Sequence, residues 1–321
     1  MANFWNILTK PFLVLAPMED VTDFAFREIV ASLPRPDVFF TEFISSDGLL
    51  SKGGPTVSRK LLFSENQRPI VAQIWGTSPK NMNLATEIVK EHGFDGVDIN
   101  MGCPDKAVMK KGAGAAMCLT PDLAKEIIQS VQYAAGDMAI SVKTRLGYNT
   151  IITEEWIPTL LSMRVQALTV HGRVAKQRSN GEANWDEIGK VVQLRDSISP
   201  DTFIIGNGDI KSAQQAIDMH KKYNVDGVMI GRGIFANPWV FDKSIEVEHT
   251  SSEYLDILEK HLLMFEKTWG KNKNFAIMKK FLKMYVNNFK NASIYRQELM
   301  NCTTSEELLT ELRILRNRQL L

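Results

Sequence analysis

The sequence reads as an α/β protein, a (β/α)8 barrel followed by a small all-helical domain, and three observations lead there. Short runs rich in β-branched residues recur eight times before about residue 245, and stretches with helical periodicity lie between them. The runs are nearly all apolar, as strands covered on both faces of a parallel sheet are. Beyond residue 245 the strand signal stops and only helical periodicity continues. The barrel is therefore expected at 1–244 and the helical domain at 245–321.

Strands are expected at 12–16, 38–42, 70–75, 96–100, 139–143, 167–171, 203–207 and 227–230. Helices are expected at 23–32, 79–92, 121–135, 153–163, 185–195 and 211–222. Pro79 and Pro121 sit where a first helical turn tolerates a missing N–H, and Ser78 and Thr120 precede them as caps. Eight strand–helix units in about 240 residues fit a closed barrel better than an open doubly wound sheet, although periodicity alone leaves the open sheet standing. In the C-terminal part helices are expected at 254–269, 275–290 and 305–316, the second with Phe275, Met278, Leu282, Tyr285 and Phe289 on one face. Residues 271–297 hold seven basic side chains and no acidic one, which charge alone explains as a solvated lysine face.

Composition narrows the function. The chain has 321 residues, 44% of them hydrophobic, with 38 basic against 37 acidic residues and a net charge of +1. No global field draws it to a polyanion, so a nucleic-acid partner has to meet a local basic patch. Three cysteines make no disulfide framework, and the odd number fits reduced thiols in a cytoplasm. No apolar run reaches membrane-spanning length, and 12–16 is too short for a signal-peptide core, so a soluble cytoplasmic protein without a membrane partner is expected. No Cys-x-x-Cys occurs and the histidines are scattered, so no metal is expected. Gly-x-Ser-x-Gly and Gly-Lys-Ser/Thr loops are absent as well, which lowers hydrolases and P-loop enzymes.

In a barrel of this kind the chemistry belongs at the C-terminal ends of the strands. Those ends carry Pro17-Met18, Glu42, Gln73, Asn100, Lys143, His171, Asn207-Gly208-Asp209 and Gly231-Arg232-Gly233. Each polar residue alone could serve a loop carbonyl; the series Gln, Asn, Lys, His, Asn makes a pure packing explanation improbable. The two glycine turns after the last strands let backbone N–H groups approach a phosphate. Cys103, between Gly102 and Pro104, is a loop thiol at the functional end, able to act as nucleophile or general acid, whereas Cys118 and Cys302 read as small buried hydrophobes. Lys143 can stabilise negative charge on a bound ring or form a Schiff base. Arg145, Arg173, Lys176 and Arg178, with Lys106, Lys110 and Lys111, put positive charge on three rim loops, and Glu19, Asp20 and Asp23 lie on another.

Taken together, Ala16-Pro-Met18 with Thr22-Asp23, Asn100-Met-Gly-Cys-Pro104, Lys111-Gly-Ala-Gly-Ala115, Ser141-Val-Lys-Thr-Arg-Leu-Gly147, Val170-His-Gly-Arg173, Gly206-Asn-Gly-Asp-Ile210 and Met229-Ile-Gly-Arg232 resemble the tRNA-dihydrouridine synthases, in order across residues 12–242. The resemblance implies a TIM barrel with FMN that reduces the C5–C6 double bond of a uridine in tRNA, with the helical domain at 245–321 binding the tRNA, NADPH (or NADH) as electron donor and no obligate protein partner. Carried over to this chain, it implies that Pro17, Met18 and Glu19 border the flavin, that Gln73 and Lys143 contact it, and that His171 lies beside it. It further implies that Asn207, Gly208, Asp209, Gly231 and Arg232 hold the phosphate. Asn100, Arg145, Arg173 and Lys176 would meet the substrate, and Cys103 would donate the proton to C5. Asp20 stands where the family usually has glycine, and Val174 where it often has threonine. Two other readings remain at this point: a flavoenzyme for free pyrimidines, and an RNA-binding protein whose barrel is only a scaffold.

Overall fold

A computed structural model describes residues 3–244, 247–287 and 289–319. Nine strands form one parallel sheet: β1 (Phe12–Leu15), β2 (Phe39–Phe40), β3 (Ile44–Ser45), β4 (Ile70–Trp75), β5 (Gly96–Met101), β6 (Ala139–Arg145), β7 (Ala167–His171), β8 (Phe203–Asn207) and β9 (Gly227–Ile230). Their order is β1-β9-β8-β7-β6-β5-β4-β2, with β3 also on β4. A bridge between Val14 and Val38 joins the two ends, so the sheet closes into a barrel, as expected.

The second strand is where the sequence reading needs correcting. It was expected at 38–42, but only Phe39 and Phe40 hold the ladder, and a separate piece resumes at Ile44. The reason is local. The Gln73 N–H donates to Thr41 Oγ1 at 3.1 Å rather than to a strand carbonyl, and the same hydroxyl donates to the Glu42 carbonyl. A side chain has taken a ladder position, and the backbone turns away.

Alternation then divides each strand. Phe12, Val14, Ala16, Phe40, Val71, Ala139, Ala167, Ile205 and Met229 form a cluster inside the barrel, and the alternate residues pack outward under the helices. A 3-10 turn at Phe4–Ile7 brings Phe4 and Trp5 into the inner cluster and closes the N-terminal end, with Trp5 5.6 Å from the Phe12 ring. On β5 and β6 the inward positions above Gly96 and Ala139 are Asp98 and Asn100, then Ser141, Lys143 and Arg145. The interior thus becomes polar toward the C-terminal mouth.

The helices beyond the barrel are Ser251–Trp269, Ala292–Met300 and Ser305–Gln319. The helix expected at 275–290 is instead a 3-10 segment, Phe275–Phe281, and one α turn, Leu282–Tyr285. It stops where the Val286 carbonyl accepts from Arg296 Nη1 at 2.7 Å, and asparagines follow at 287, 288 and 291, Asn291 at φ 64°. The expected boundary after 244 abuts Ile245 and Glu246, which lie outside the described residues. The helical segment shares one continuous core with the barrel. Phe26, on the barrel helix Phe24–Ala31, stacks on Phe281 at 5.0 Å, and His261 meets the same ring edge-on at 4.6 Å. Among the described residues no helix is long and apolar enough to cross a membrane.

Candidate active site at the barrel mouth

A cavity of about 550 Å³ opens at the C-terminal mouth, a size suited to a small molecule. Its walls include Pro17, Met18, Gln73, Asn100, Cys103, Lys143, Arg145, His171, Arg173, Asn207, Gly208, Asp209, Gly231 and Arg232. Strand parity explains the convergence: β4 to β8 each carry an inward polar residue near the C-terminal end, with Asn100 in register with Lys143 and His171 with Asn207. Glu19 and Lys176 do not line it; both are exposed, Glu19 in an ion pair with Lys60 and Lys176 on the 3-10 turn Ala175–Gln177. Phe43 and Lys211 line the cavity unannounced by any strand-end rule, because both sit on loops whose path only the fold determines.

The floor carries positive charge. Lys143 Nζ donates to Asn207 Oδ1 at 3.1 Å, and Asn207 is itself held by the Met229 carbonyl at 2.8 Å. Burial, then the nearby Arg145, pulls the Lys143 ammonium from its ordinary 10.5 to about 8. The fold therefore holds a cation that it destabilises. Lys143→Met should stabilise the protein, with the cavity empty, by roughly 1–3 kcal/mol at pH 7. The native lysine is deprotonated in the folded protein at lower pH than in the unfolded chain, so the native protein gains stability as pH rises from about 8 to 10.5. Urea titrations should show the advantage of the variant shrinking across that window; a constant difference would contradict this account.

His171 is held neutral, its pKa pushed well below the ordinary value by burial, then by Arg145 and Lys143. Arg173 Nη1 lies 3.0 Å from His171 Nε2. A guanidinium can only donate, so Nε2 accepts and the imidazole proton sits on Nδ1. Arg173 also bonds Asp209 Oδ2 at 2.6 Å and the Gly181 carbonyl, and Asp209 takes Arg232 at 3.3 Å. Arg145 gives Nε to the Gly102 carbonyl at 2.7 Å and Nη1 to the Arg178 carbonyl at 2.8 Å. The guanidiniums of Arg145 and Arg173 thus brace loops and a histidine.

Cys103 is half-buried beside this floor. Its N–H donates to Asn100 Oδ1 at 2.9 Å, and its carbonyl accepts from Ala115 N at 3.0 Å. Burial pushes the thiol above its ordinary 9.0, so it carries its proton at neutral pH. Across the cavity, Gly208 at φ 135° occupies a position where a Cβ would come 2.5 Å from that of Ala183. Arg232 opens the 3-10 turn Arg232–Phe235 next to Gly231 and is 60% exposed. Apolar walls at Ala16, Pro17 and Met229, a lysine on the floor and an arginine on a glycine turn suit a planar ring with an anionic tail, and FMN has that chemistry.

The acidic rim loop faces the helical segment rather than the cavity. Asp23 Oδ2 accepts from Trp269 Nε1 at 2.9 Å and from Lys273 Nζ at 2.8 Å, and Asp20 pairs with Lys280 at 3.1 Å. Glu42 accepts from the Asp20 N–H at 2.7 Å, with Lys273 3.9 Å away. Asp20, at φ 53°, occupies a backbone conformation that glycine adopts without strain. Lys273 and Lys280, counted in the sequence as part of a basic face, close this seam instead.

Comparisons with known proteins agree with the geometry. The family model described as dihydrouridine synthase matches residues 14–319. The chain is 43% identical over 309 residues to a probable tRNA-dihydrouridine synthase of Staphylococcus aureus (strain COL), covering 95% of this chain and 93% of that protein. It is 42% identical over 309 residues to probable tRNA-dihydrouridine synthase 2 of Bacillus subtilis (strain 168), covering 95% and 94%. Among solved structures, a morphinone reductase variant in complex with tetrahydroNAD superposes with a TM-score of 0.51 at 12% identity, over 71% of this chain and 85% of that one. The 6-hydroxypseudooxynicotine amine oxidase of Pseudomonas geniculata N1 gives 0.54 at 13% identity, over 84% and 56%. These two share the barrel fold. With a family model spanning nearly its whole length and relatives above 40% identity, the chain belongs to the dihydrouridine synthase family.

Proposed function

We propose that this chain is an FMN-dependent tRNA-dihydrouridine synthase that takes electrons from NADPH (or NADH) and reduces the C5–C6 bond of specific uridines in tRNA. The observation that carries the reading is the thiol of Cys103 on the wall of the cavity that Lys143 also lines. When bound, FMN supplies a hydride for one carbon of the double bond. The residues of this chain supply the rest. Lys143 places positive charge against the ring, and its depressed pKa keeps it able to share a proton. His171 presents its Nδ1–H from a fixed tautomer. Gly231, Arg232 and the turn at Asn207–Asp209 receive the phosphate. Asn100 places the uracil, and the Cys103 thiol gives its proton to the adjacent carbon.

A stacked base is out of reach of such a thiol, so the uridine has to be extruded into the cavity. The exposed Lys106, Lys110 and Lys111 on one rim, with Lys176 and Arg178 on the next, lie where the surrounding tRNA backbone would be gripped. A tRNA-modifying enzyme of this kind works in the cytoplasm.

The test is anaerobic. The purified protein should be yellow or take up FMN, NADPH should bleach it, and unmodified tRNA should restore the colour while gaining dihydrouridine by mass spectrometry. Reoxidation by tRNA no faster than by buffer would refute the reading, and preferential reoxidation by free pyrimidines would replace it with that of a small-molecule reductase.

A further inference from the structure

Asp98 has no part in the chemistry above, yet it is a fully buried carboxylate on β5 between the apolar Val97 and Ile99, on the inner face below Asn100. Its two oxygens are both used. Oδ1 accepts from Ser141 Oγ at 2.6 Å, and Oδ2 accepts from Gln73 Nε2 at 2.7 Å. Gln73 Oε1 in turn accepts from Asn100 Nδ2 at 2.9 Å. Asn100 Oδ1 then accepts from two backbone groups, the N–H of Gly102 at 3.1 Å and that of Cys103 at 2.9 Å.

The direction of this chain of bonds is not free. The backbone N–H groups of Gly102 and Cys103 can only donate, so Asn100 must turn its oxygen to them and its nitrogen to Gln73. Gln73 must then turn its oxygen to Asn100 and its nitrogen toward residue 98. All of this is buried, where a donor facing a donor is costly. Position 98 therefore has to accept, and an ionised carboxylate accepts at both oxygens.

Resting on the reading of the site given above, we propose that Asp98 is a positioning residue for the reduction. As a hydrogen-bond acceptor it orders the side-chain amides of Gln73 and Asn100 and, through them, seats the backbone of Cys103. Gln73 thereby presents a fixed pattern of donor and acceptor at the cavity wall, and the thiol is held at one height above the floor. Arg145 braces the same loop from the other side through the Gly102 carbonyl. The burial that raises the Asp98 carboxyl to about 6 is opposed by its bonds from Ser141 and Gln73 and by the charge of Lys143, so the carboxylate and the lysine support each other's ionised forms.

The full-length protein is compared with Asp98→Asn and Asp98→Leu. Asparagine can offer its oxygen to Gln73 and its nitrogen to Ser141 Oγ, which can accept, so this variant should behave nearly as the native protein. Leucine has similar bulk and no acceptor. In the flavin-loaded enzyme Asp98→Leu should slow reoxidation by tRNA on the order of 100-fold, with bleaching by NADPH and KM for tRNA little changed. In the flavin-free protein the alkylation of Cys103 by iodoacetamide, followed by mass spectrometry against pH, should be severalfold faster in Asp98→Leu than in the other two. Should Asp98→Leu fail to fold, Asp98→Ala takes its place with the same expectations.

A folded leucine or alanine variant with native reoxidation and native alkylation overturns the proposal, as does an asparagine variant that falls as far as leucine. Uniform loss of flavin, melting temperature and both half-reactions would mark a merely structural residue and overturn it too. Failure of the native protein to be reoxidised by tRNA would refute the proposed function instead, while the alkylation rates still decide the role of Asp98.

Discussion

On the function proposed above, Cys103→Ala should retain flavin and tRNA and yet reduce uridine roughly 10²–10⁴-fold more slowly, the usual contribution of a placed general acid. The substitution leaves the loop intact, because the contacts that seat it are made by the backbone: Cys103 N to Asn100 Oδ1 and Ala115 N to the Cys103 carbonyl. What disappears is the proton. Cys103→Ser should be nearly as slow, since an alcohol gives up its proton far less readily than a thiol. Stopped-flow reoxidation of the bleached enzyme by unmodified tRNA measures the step directly. In the native protein the rate should hold level through neutral pH and fall only above the ordinary thiol value of 9.0, because burial displaces the Cys103 pKa upward. A native rate in the alanine variant would remove the thiol from the chemistry.

The second large effect is expected at the seam between barrel and helical segment. Asp23→Ala should destabilise the protein by roughly 3–5 kcal/mol, the range for breaking a buried charge network from one side. Asp23 is buried and does three things. Its Oδ1 caps the helix Phe24–Ala31 through the Phe26 N–H at 2.9 Å, and its Oδ2 takes Trp269 Nε1 and Lys273 Nζ. Next to it the guanidinium of Arg27, fully buried, is supported by the charges of Asp23, Glu42 and Glu28 against the burial that lowers its pKa. Alanine removes the cap and leaves the indole N–H, the ammonium and part of the support for Arg27 unmatched. Asp23→Asn keeps a cap and an acceptor, and should lose about half as much. Denaturant midpoints measure both, and a loss below about 1 kcal/mol for alanine would mean that the seam behaves as an ordinary surface ion pair.

Much of the site could be read from the chain because a barrel strand has only two faces. Once a strand is placed, its inward residues at the C-terminal end follow by parity, which is why Gln73, Asn100, Lys143, His171 and Asn207 converge. The same parity puts Asp98 on the inner face two residues before Asn100, and a charged residue between the apolar Val97 and Ile99 was the available signal for it. The bonds of Arg145 and Arg173 to backbone carbonyls could not be read, since an arginine at or just past a strand end looks alike whether it meets a ligand or a carbonyl. The bonds from Asp23 to Trp269 and Lys273 join residues some 250 positions apart, a relation that no local pattern encodes. The segment after Phe275 misled because its apolar residues have helical spacing while tertiary bonds, from Lys279 to the Met300 carbonyl and from Arg296 to the Val286 carbonyl, bend the backbone into shorter pieces.

Phe4 and Trp5 stop the barrel at its N-terminal end, so the cavity has its doorway at the other. On the proposed chemistry the electron donor and the RNA must both use that doorway, and each covers the reactive floor while it is there. The two reactants therefore take turns. On that proposal electrons would wait in the protein between visits, and the identity of the donor and the choice of uridine would be independent of one another, because the two partners would never meet.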